Sequence, residues 1–197
     1  MEEKPIAISL IDRAVGFAAR AHEGQHRKAG RVPFIAHPVG VALILQEMGC
    51  HETVVAAGLL HDIVEDTVVT PEEIRQNFGD EVADIVAGCT EPPKKRDNWE
   101  SRKMHSIRML TDAPMSVKLV AAADKYHNLS HTLQNLRSEG NSVWRRFGRG
   151  PEQQAWYYRT ALVSILANVP DPESYPIFEQ LSEVIDELFE EIPSVAP

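Results

Sequence analysis

The amino-acid sequence predicts an all-α fold, a compact bundle of about eight to ten helices. Apolar residues recur at the spacing of an amphipathic helix through most of the chain. Prolines and glycines stand at the boundaries of these segments, and no alternating strand of convincing length interrupts them. With 197 residues and 43% hydrophobic content, the chain suits a single domain over residues 1–197.

Local signals predict where the helices begin and end. Thr70 can cap a helix, Pro71 suits its first position, and Glu73 completes a capping box. Gly79 separates this helix from the next, and Pro38 opens another in the same way as Pro71. The predicted helices span 8–23, 38–48, 52–66, 71–78, 80–87, 99–110, 114–137, 152–167 and 173–191.

The net charge of −9 is unevenly distributed along the chain. No lysine or arginine follows Arg159. The chain up to and including Arg159 has 20 basic and 21 acidic residues. Broad duplex nucleic-acid binding draws on a large basic surface, so we expect no such partner, whereas a small anion held by a few local cations remains possible. Eight carboxylates lie in the C-terminal region, on or beside the acidic helix at 173–191: Asp171, Glu173, Glu179, Glu183, Asp186, Glu187, Glu190 and Glu191.

The sequence also predicts a cytoplasmic protein without a membrane segment. No apolar run approaches the ~20 residues that a membrane helix requires, and the first residues lack the basic-then-apolar pattern of a secretory signal. Cys50 and Cys89 lie in apolar helical surroundings, so we expect reduced thiols. The apolar positions of the C-terminal helix are expected to pack on the body, with a homodimer contact as the alternative: Phe178, Leu181, Val184, Ile185 and Leu188.

Candidate metal ligands occur in three separate stretches. His37 directly precedes the helix predicted from Pro38, His61 and Asp62 lie within the most apolar predicted helix, and Asp124 lies among alanines in the long helix at 114–137. A buried carboxylate without a partner or a metal is energetically costly. Any one of these residues alone is more often a hydrogen-bonded core residue, but the joint pattern favours a metal site.

Further polar residues lie on the same helix edges as these candidates. At about 100° per residue, Glu65 falls about 40° from His61, and Asp66 stands in the same relation to Asp62. In the long helix, Asn128 stands four residues after Asp124. Both helices therefore carry polar groups on one edge of an otherwise apolar surface, which indicates a site rather than a plain core.

Five ordered motifs carry a resemblance to a known family. The sequence over residues 8–165 resembles the HD hydrolase domain of the RelA/SpoT alarmone hydrolases and the small single-domain hydrolases related to them. The motifs are GQHRK at 24–28, PFIAHP at 33–38, LLHDIVED at 59–66, FGDEVA at 78–83 and AADKYHN at 122–128.

The resemblance implies a metal-dependent phosphohydrolase that acts on a phosphorylated nucleotide. In it, His37, His61, Asp62 and Asp124 would bind one divalent metal, typically manganese in this family. Imidazole and carboxylate ligands also suit iron, cobalt or zinc, and magnesium is a further possibility.

The same resemblance implies that Glu65 and Asp66 form the catalytic acidic pair, which positions the attacking water. The alarmone hydrolases release pyrophosphate from the ribose 3′ position of guanosine 3′,5′-bis(diphosphate). A nucleotide of this kind is therefore the expected substrate.

The resemblance also implies substrate contacts. Arg27 and Lys28 match a basic loop near the nucleotide, and Asn128 matches a residue near the sugar and base. Arg102 and Lys103 could reach the phosphates, although an exposed helix face is the alternative. Tyr157, with its aromatic neighbours, could line the pocket, although core packing is the alternative. The basic run at 94–96 is expected to be solvated.

Three other functions compete with this interpretation. A nucleotidase or phosphodiesterase could act on a mononucleotide, a triphosphate or a cyclic oligonucleotide through the same metal ligands. A non-catalytic nucleotide sensor is a second alternative, which the presence of both Glu65 and Asp66 disfavours. A helical scaffold protein would leave the polar groups inside the apolar helices unexplained.

Overall fold

The computed structural model describes residues 8–27, 31–93, 98–193 and 195. Lys28 and the basic run at 94–96 lie outside these residues. The all-α prediction is confirmed. Within the described ranges there are no strands, and the β-type pairing there is limited to an isolated bridge between His26 and Pro33. The α-helices are α1 (Leu10–Ala21), α2 (Ala36–Glu47), α3 (Glu52–Leu60), α4 (Ile63–Asp66), α5 (Pro71–Phe78), α6 (Asp80–Cys89), α7 (Trp99–Thr111), α8 (Met115–Glu139), α9 (Pro151–Leu166) and α10 (Pro176–Phe189).

The boundary between α5 and α6 follows the predicted signals. The Thr70 hydroxyl accepts the backbone N–H of Glu73, and the Glu73 carboxylate accepts the backbone N–H of Thr70. Pro71 occupies the first turn, where a missing N–H costs no intrahelical hydrogen bond. Gly79 then adopts φ 86° and ψ 173°, a conformation that is essentially restricted to glycine, and this ends α5 and begins α6.

Helix α2 begins at Ala36 rather than at Pro38, so the prediction that His37 precedes the helix is wrong. The N–H groups of the first turn have no intrahelical partner, and a proline at the third position is therefore tolerated. The backbone N–H of Ala36 bonds to Pro33 and that of His37 to Phe34, which starts the helix earlier. His37 consequently lies in the first turn of α2.

The predicted helix at 52–66 is divided into α3 and the one-turn helix α4. His61 and Asp62 form the junction, and the ring Nδ1 of His61 lies 2.8 Å from the carbonyl oxygen of Gly58. A continuous helix would offer that carbonyl to the backbone N–H of Asp62. The His61 side chain therefore competes with the backbone N–H of Asp62 for the Gly58 carbonyl oxygen, and this competition accounts for the break in the helix. Beyond it, the N–H of Asp66 bonds to the carbonyl of Asp62 at 3.0 Å.

The C-terminal helix α10 packs along α8 and α9. It begins at Pro176 rather than at 173, because the residue before a proline is driven out of the helical region and Tyr175 is extended. A short 3-10 turn, Pro172–Ser174, precedes it. Its five predicted apolar residues are buried within the chain and so pack on the body: Phe178, Leu181, Val184, Ile185 and Leu188.

One apolar core extends from Ala14 on α1 to Phe189 on α10 and includes most of the helices. A small satellite cluster forms around Tyr157, where α7 meets α9. None of the helices in the described ranges combines the length and the apolar character that crossing a bilayer requires. Cys50 and Cys89 are unpaired thiols, and burial raises the pKa of Cys89 to about 12.

Candidate metal centre

The four candidate metal ligands meet in space, although they come from three stretches of the chain. The Nε2 atom of His37 lies 3.2 Å from Asp124 Oδ1 and 3.5 Å from Asp62 Oδ2. The Nε2 atom of His61 lies 3.2 Å from Asp62 Oδ2 and 3.6 Å from Asp124 Oδ1. His37, His61 and Asp62 form the tightest group, with potential ligand atoms all within 4.8 Å of one another, and Asp124 contacts both imidazoles.

The hydrogen bonding of His61 shows that a metal fits this arrangement. Because the Gly58 carbonyl can only accept, the ring proton of neutral His61 resides on Nδ1. Its Nε2 atom then presents a lone pair, is buried, and completes no hydrogen bond within the described residues. In the neutral ring that lone pair is repelled by the carboxylate oxygens of Asp62 and Asp124, so the arrangement needs a positive charge between them, either a proton on Nε2 or a bound cation. Mixed nitrogen and oxygen donors suit a divalent transition metal.

The charges around the four residues are strongly coupled. Burial lowers the pKa of His61, but Asp62 and Asp124 outweigh it and raise that pKa well above its usual value. Burial also opposes the ionisation of Asp62 and Asp124, yet the imidazoles hold the pKa of each carboxyl below its usual range. Both aspartates are therefore ionised at neutral pH, as ligands for a cation must be.

Asp124 has two supporting contacts on its own helix. The side-chain amide of Asn128 donates to Asp124 Oδ1 at 2.6 Å, and Lys125 Nζ lies 3.6 Å from Asp124 Oδ2. Arg27 in turn donates to the Asn128 amide oxygen at 2.8 Å. Two of the predicted substrate contacts, Arg27 and Asn128, are thus joined to each other and to a candidate metal ligand.

The predicted acidic pair lies on α4, directly after the metal-ligand junction. The Glu65 carboxylate accepts the backbone N–H of Glu91 at 2.7 Å, and an Arg102 guanidinium nitrogen lies 3.4 Å from its other oxygen. Burial, more than any neighbouring charge, raises the pKa of Glu65 to about 7. The backbone carbonyl of Asp66 accepts the side-chain amide of Gln25 at 2.7 Å, which ties the end of α4 to the loop after α1.

Arg102 and Lys103 bind the carboxylate of Glu91 at 2.8 and 2.7 Å. Arg102 is 9% exposed, so the alternative of an exposed helix face is wrong for it. Lys103 Nζ also lies 4.4 Å from the ring centroid of Tyr157, which is itself buried. The two cations are therefore held near Glu65 by one carboxylate, and Tyr157 packs against one of them as well as in the core.

Three residues at this site were not predicted from the sequence. His127 Nδ1 lies 3.0 Å from His37 Nδ1, and burial together with His37 and His131 lowers the pKa of His127 to about 3. Its signal was the helical spacing of three from Asp124. Lys125, buried beside Asp124, was adjacent to a predicted residue, whereas Glu91 sits in a loop and had no local signal.

The sequence pattern of the HD domain family matches residues 14–150. This chain belongs to the HD domain family. Relatives of this chain include a Synechocystis protein named as a probable guanosine-3′,5′-bis(diphosphate) 3′-pyrophosphohydrolase, which is 34% identical over 187 residues covering 87% of this chain and 24% of that protein. An Aquifex aeolicus guanosine-3′,5′-bis(diphosphate) 3′-pyrophosphohydrolase is 41% identical over 131 residues, covering 66% of this chain and 18% of the relative. The chain therefore spans about a quarter or less of the length of these relatives.

Two solved structures share this HD domain fold. A crystal structure of a Listeria monocytogenes EGD-e protein matches with a TM-score of 0.74 and 41% identity, covering 79% of this chain and 99% of that one. A protein described as a metazoan ortholog of SpoT that hydrolyzes ppGpp matches with a TM-score of 0.71 and 25% identity, covering 95% of this chain and 98% of that one. The second match extends the shared fold over nearly the whole chain.

Proposed function

We propose that this chain is a metal-dependent phosphohydrolase that converts guanosine 3′,5′-bis(diphosphate) and water into guanosine 5′-diphosphate and pyrophosphate. The observation that carries the proposal is the convergence of His61 Nε2, a buried nitrogen that completes no hydrogen bond within the described residues, with the carboxylates of Asp62 and Asp124. The nucleotide is suggested by the relatives named as 3′-pyrophosphohydrolases and by the structural neighbour described as hydrolyzing ppGpp.

His37, His61, Asp62 and Asp124 would hold the metal, and manganese is our first choice because it is typical of the family that the motifs resemble. When bound, a divalent metal polarises a phosphoryl oxygen and lowers the pKa of water. The nitrogen and oxygen donors would also accept iron, cobalt or zinc.

Glu65 has the properties of the general base in this reaction. A base works best when its pKa lies near the working pH, and burial brings that of Glu65 to about 7. In the proposed step, Glu65 accepts a proton from water as the water oxygen bonds to phosphorus. The bond from phosphorus to the ribose 3′ oxygen breaks, and that oxygen takes up the proton. Asp66, the next residue on α4, would orient the water.

Positive charge for the substrate phosphates would come from Arg27, Arg102 and Lys103, with Lys28 a further candidate from sequence alone. Arg102 and Lys103 are held by Glu91, so phosphate oxygens would exchange with that carboxylate. Tyr157 would act by fixing Lys103. We further propose that residues 1–197 act as one cytoplasmic domain, in keeping with the shared core and the unpaired cysteines.

The test is to incubate the purified chain with manganese and guanosine 3′,5′-bis(diphosphate), and to measure nucleotide products by ion-exchange chromatography and pyrophosphate by a coupled assay. We expect equal amounts of guanosine 5′-diphosphate and pyrophosphate, and no product after chelation. Asp62→Ala should lose both metal and turnover, and Glu65→Ala should keep metal but lose most turnover. Glu47→Ala, at the exposed end of α2, is the matched control.

Other outcomes point to the competing functions. Free phosphate from mononucleotides or triphosphates, with the alarmone left intact, would support a different nucleotidase. Tight nucleotide binding without turnover would support a sensor. Full activity in metal-free protein would refute the mechanism whatever the substrate.

A further inference from the structure

The two imidazoles of the candidate metal centre are supported differently on their outer side. The Nδ1 atom of His61 faces a backbone carbonyl, which always accepts a hydrogen bond. The Nδ1 atom of His37 faces another imidazole, with His127 Nδ1 at 3.0 Å. The tautomer of His37 therefore depends on the side chain of His127.

The distance between the two rings restricts their protonation. Two ring nitrogens 3.0 Å apart form a hydrogen bond only if one donates and the other accepts. The Nε2 atom of His37 needs a lone pair to bind a metal, so in the neutral ring the proton must be on Nδ1 and must be donated to His127. His127 then carries its own proton on Nε2.

From this geometry we propose that His127 is a positioning residue that fixes the tautomer and ring orientation of His37 for metal binding. The inference rests on the metal site proposed above. Outer partners that accept the second ring N–H of a ligating histidine fix its tautomer and raise its basicity. His127 would do for His37 what the Gly58 carbonyl does for His61.

The position of His127 argues against a direct role as a metal ligand. Its bond is to Nδ1 of His37, whereas the carboxylates of Asp62 and Asp124 approach Nε2, the nitrogen across the ring. His127 thus stands behind His37 as seen from the centre of the site. Its ring also packs against that of His131, with centroids 4.5 Å apart.

Helix α2 is adapted to this ring. A Cβ atom added at Gly40, three residues after His37, would lie 2.2 Å from His127 Nε2 and 2.5 Å from its Cδ2. These separations are far below a van der Waals contact, so a side chain at position 40 would displace His127. Gly40→Ala therefore removes the support of His37 without changing either histidine.

The test measures manganese affinity in metal-free protein by titration calorimetry. His127→Phe removes the acceptor, and His127→Asn keeps an oxygen close to the place of Nδ1. We expect His127→Phe and Gly40→Ala to bind manganese about 10–100-fold more weakly, with His127→Asn nearer the wild type. Gly16→Ala is the matched control, because its Cβ would lie at an ordinary 3.5 Å from the Arg20 guanidinium.

A second readout reports the hydrogen bond itself. In the zinc-loaded wild type, which is diamagnetic, Nδ1 of His37 should be protonated and its N–H should show the NMR chemical shift of a hydrogen-bonded ring proton, and His127→Phe should move that shift toward the value of an N–H without a partner. A merely structural role of His127 would not change this shift. Circular dichroism and thermal unfolding establish that each variant is folded.

The outcomes separate the two proposals. Wild-type manganese affinity in both folded His127→Phe and folded Gly40→Ala, with unchanged ring shifts, would overturn the role of His127 and leave the metal site standing. Absence of manganese, iron, cobalt and zinc binding in the wild type would overturn both. Should His127→Phe fail to fold, Gly40→Ala and His127→Asn decide the question.

Discussion

The most demanding prediction concerns the ionisation of Glu65. Burial raises its pKa from 4.5 to about 7, a difference worth about 3 kcal/mol against ionisation. The side chain is only 16% exposed, so solvent screens little of this cost. We expect the Glu65 carboxyl of metal-free protein to titrate near 7, measured by ¹³C NMR with Glu65→Gln to assign the signal.

Two variants should move this pKa in opposite directions. Glu91→Gln removes a negative charge that raises the pKa of Glu65 but keeps the backbone N–H that bonds to it, so the pKa should fall. Lys103→Met removes a positive charge that lowers the pKa, so it should rise. A charge a few ångströms away in a partly buried site is worth one to a few kcal/mol, and shifts of about one pH unit are therefore expected.

The pH dependence of turnover should follow the same order. Glu65 must be ionised to accept a proton, so kcat/KM should rise with pH on the acid side. A bound metal shifts the apparent pKa of the acid limb in all three proteins together, so the test is the order of these pKa values. The apparent pKa should be lowest in Glu91→Gln, intermediate in the wild type and highest in Lys103→Met. A wild-type carboxyl that titrates near 4.5, or variants that leave its pKa unchanged, would refute the assignment of Glu65 as a base tuned by burial.

Four further predictions concern stability. Manganese at about 100 times its dissociation constant should raise the free energy of unfolding of the wild type by about 2.7 kcal/mol, and should leave Asp62→Ala unchanged in a thermal scan. In metal-free protein, the folded pKa of Glu65 exceeds its unfolded value, so the stabilising contribution of Glu65 is present below about pH 4.5 and is lost as pH rises through about 7. The free energy of unfolding of Glu65→Gln, measured in urea, should therefore exceed that of the wild type by up to about 3 kcal/mol near pH 8. This difference should disappear near pH 4. Gly79→Ala should cost about 1–3 kcal/mol, because alanine does not tolerate φ 86° with ψ 173°. Thr70→Ala should cost about 1 kcal/mol through the lost capping box, and equal stability in urea would contradict the capping contribution.

Features that depend on neighbouring residues could be read from the sequence. The capping box of Thr70 and Glu73 and the break at Gly79 act within a few residues, and both appear as predicted. The convergence of His37, His61, Asp62 and Asp124 needed more, because spacing alone does not bring three helices together. The ordered motifs supplied that information, since the resemblance carries a fold within which those positions meet.

Features that depend on competition between side chain and backbone for a hydrogen bond, or on tertiary contacts, could not be predicted from the sequence. The apolar pattern of α3 continues past Leu60, so nothing in its periodicity marks the junction at His61, where a ring nitrogen takes the Gly58 carbonyl. Glu91 could not be found, because its importance comes from contacts with Arg102 and Lys103 on another element. His127 was visible by spacing, but its pairing with His37 depends on how α8 crosses α2.

The close approach of the helices that carry the candidate ligands depends on small residues. On α3, a Cβ atom at Gly58 would lie 2.6 Å from the Leu45 side chain of α2, and on α2 one at Gly40 would strike His127 of α8. Each glycine thus admits a neighbouring helix at a point within one turn of a ligand histidine. Gly58 also supplies the carbonyl that orients His61, so packing and ligand orientation meet in the same residue. An alanine at either glycine would gain helix propensity of about 1 kcal/mol and lose this fit. The requirement at these two positions is therefore set by how closely the helices approach one another rather than by the propensity of each helix.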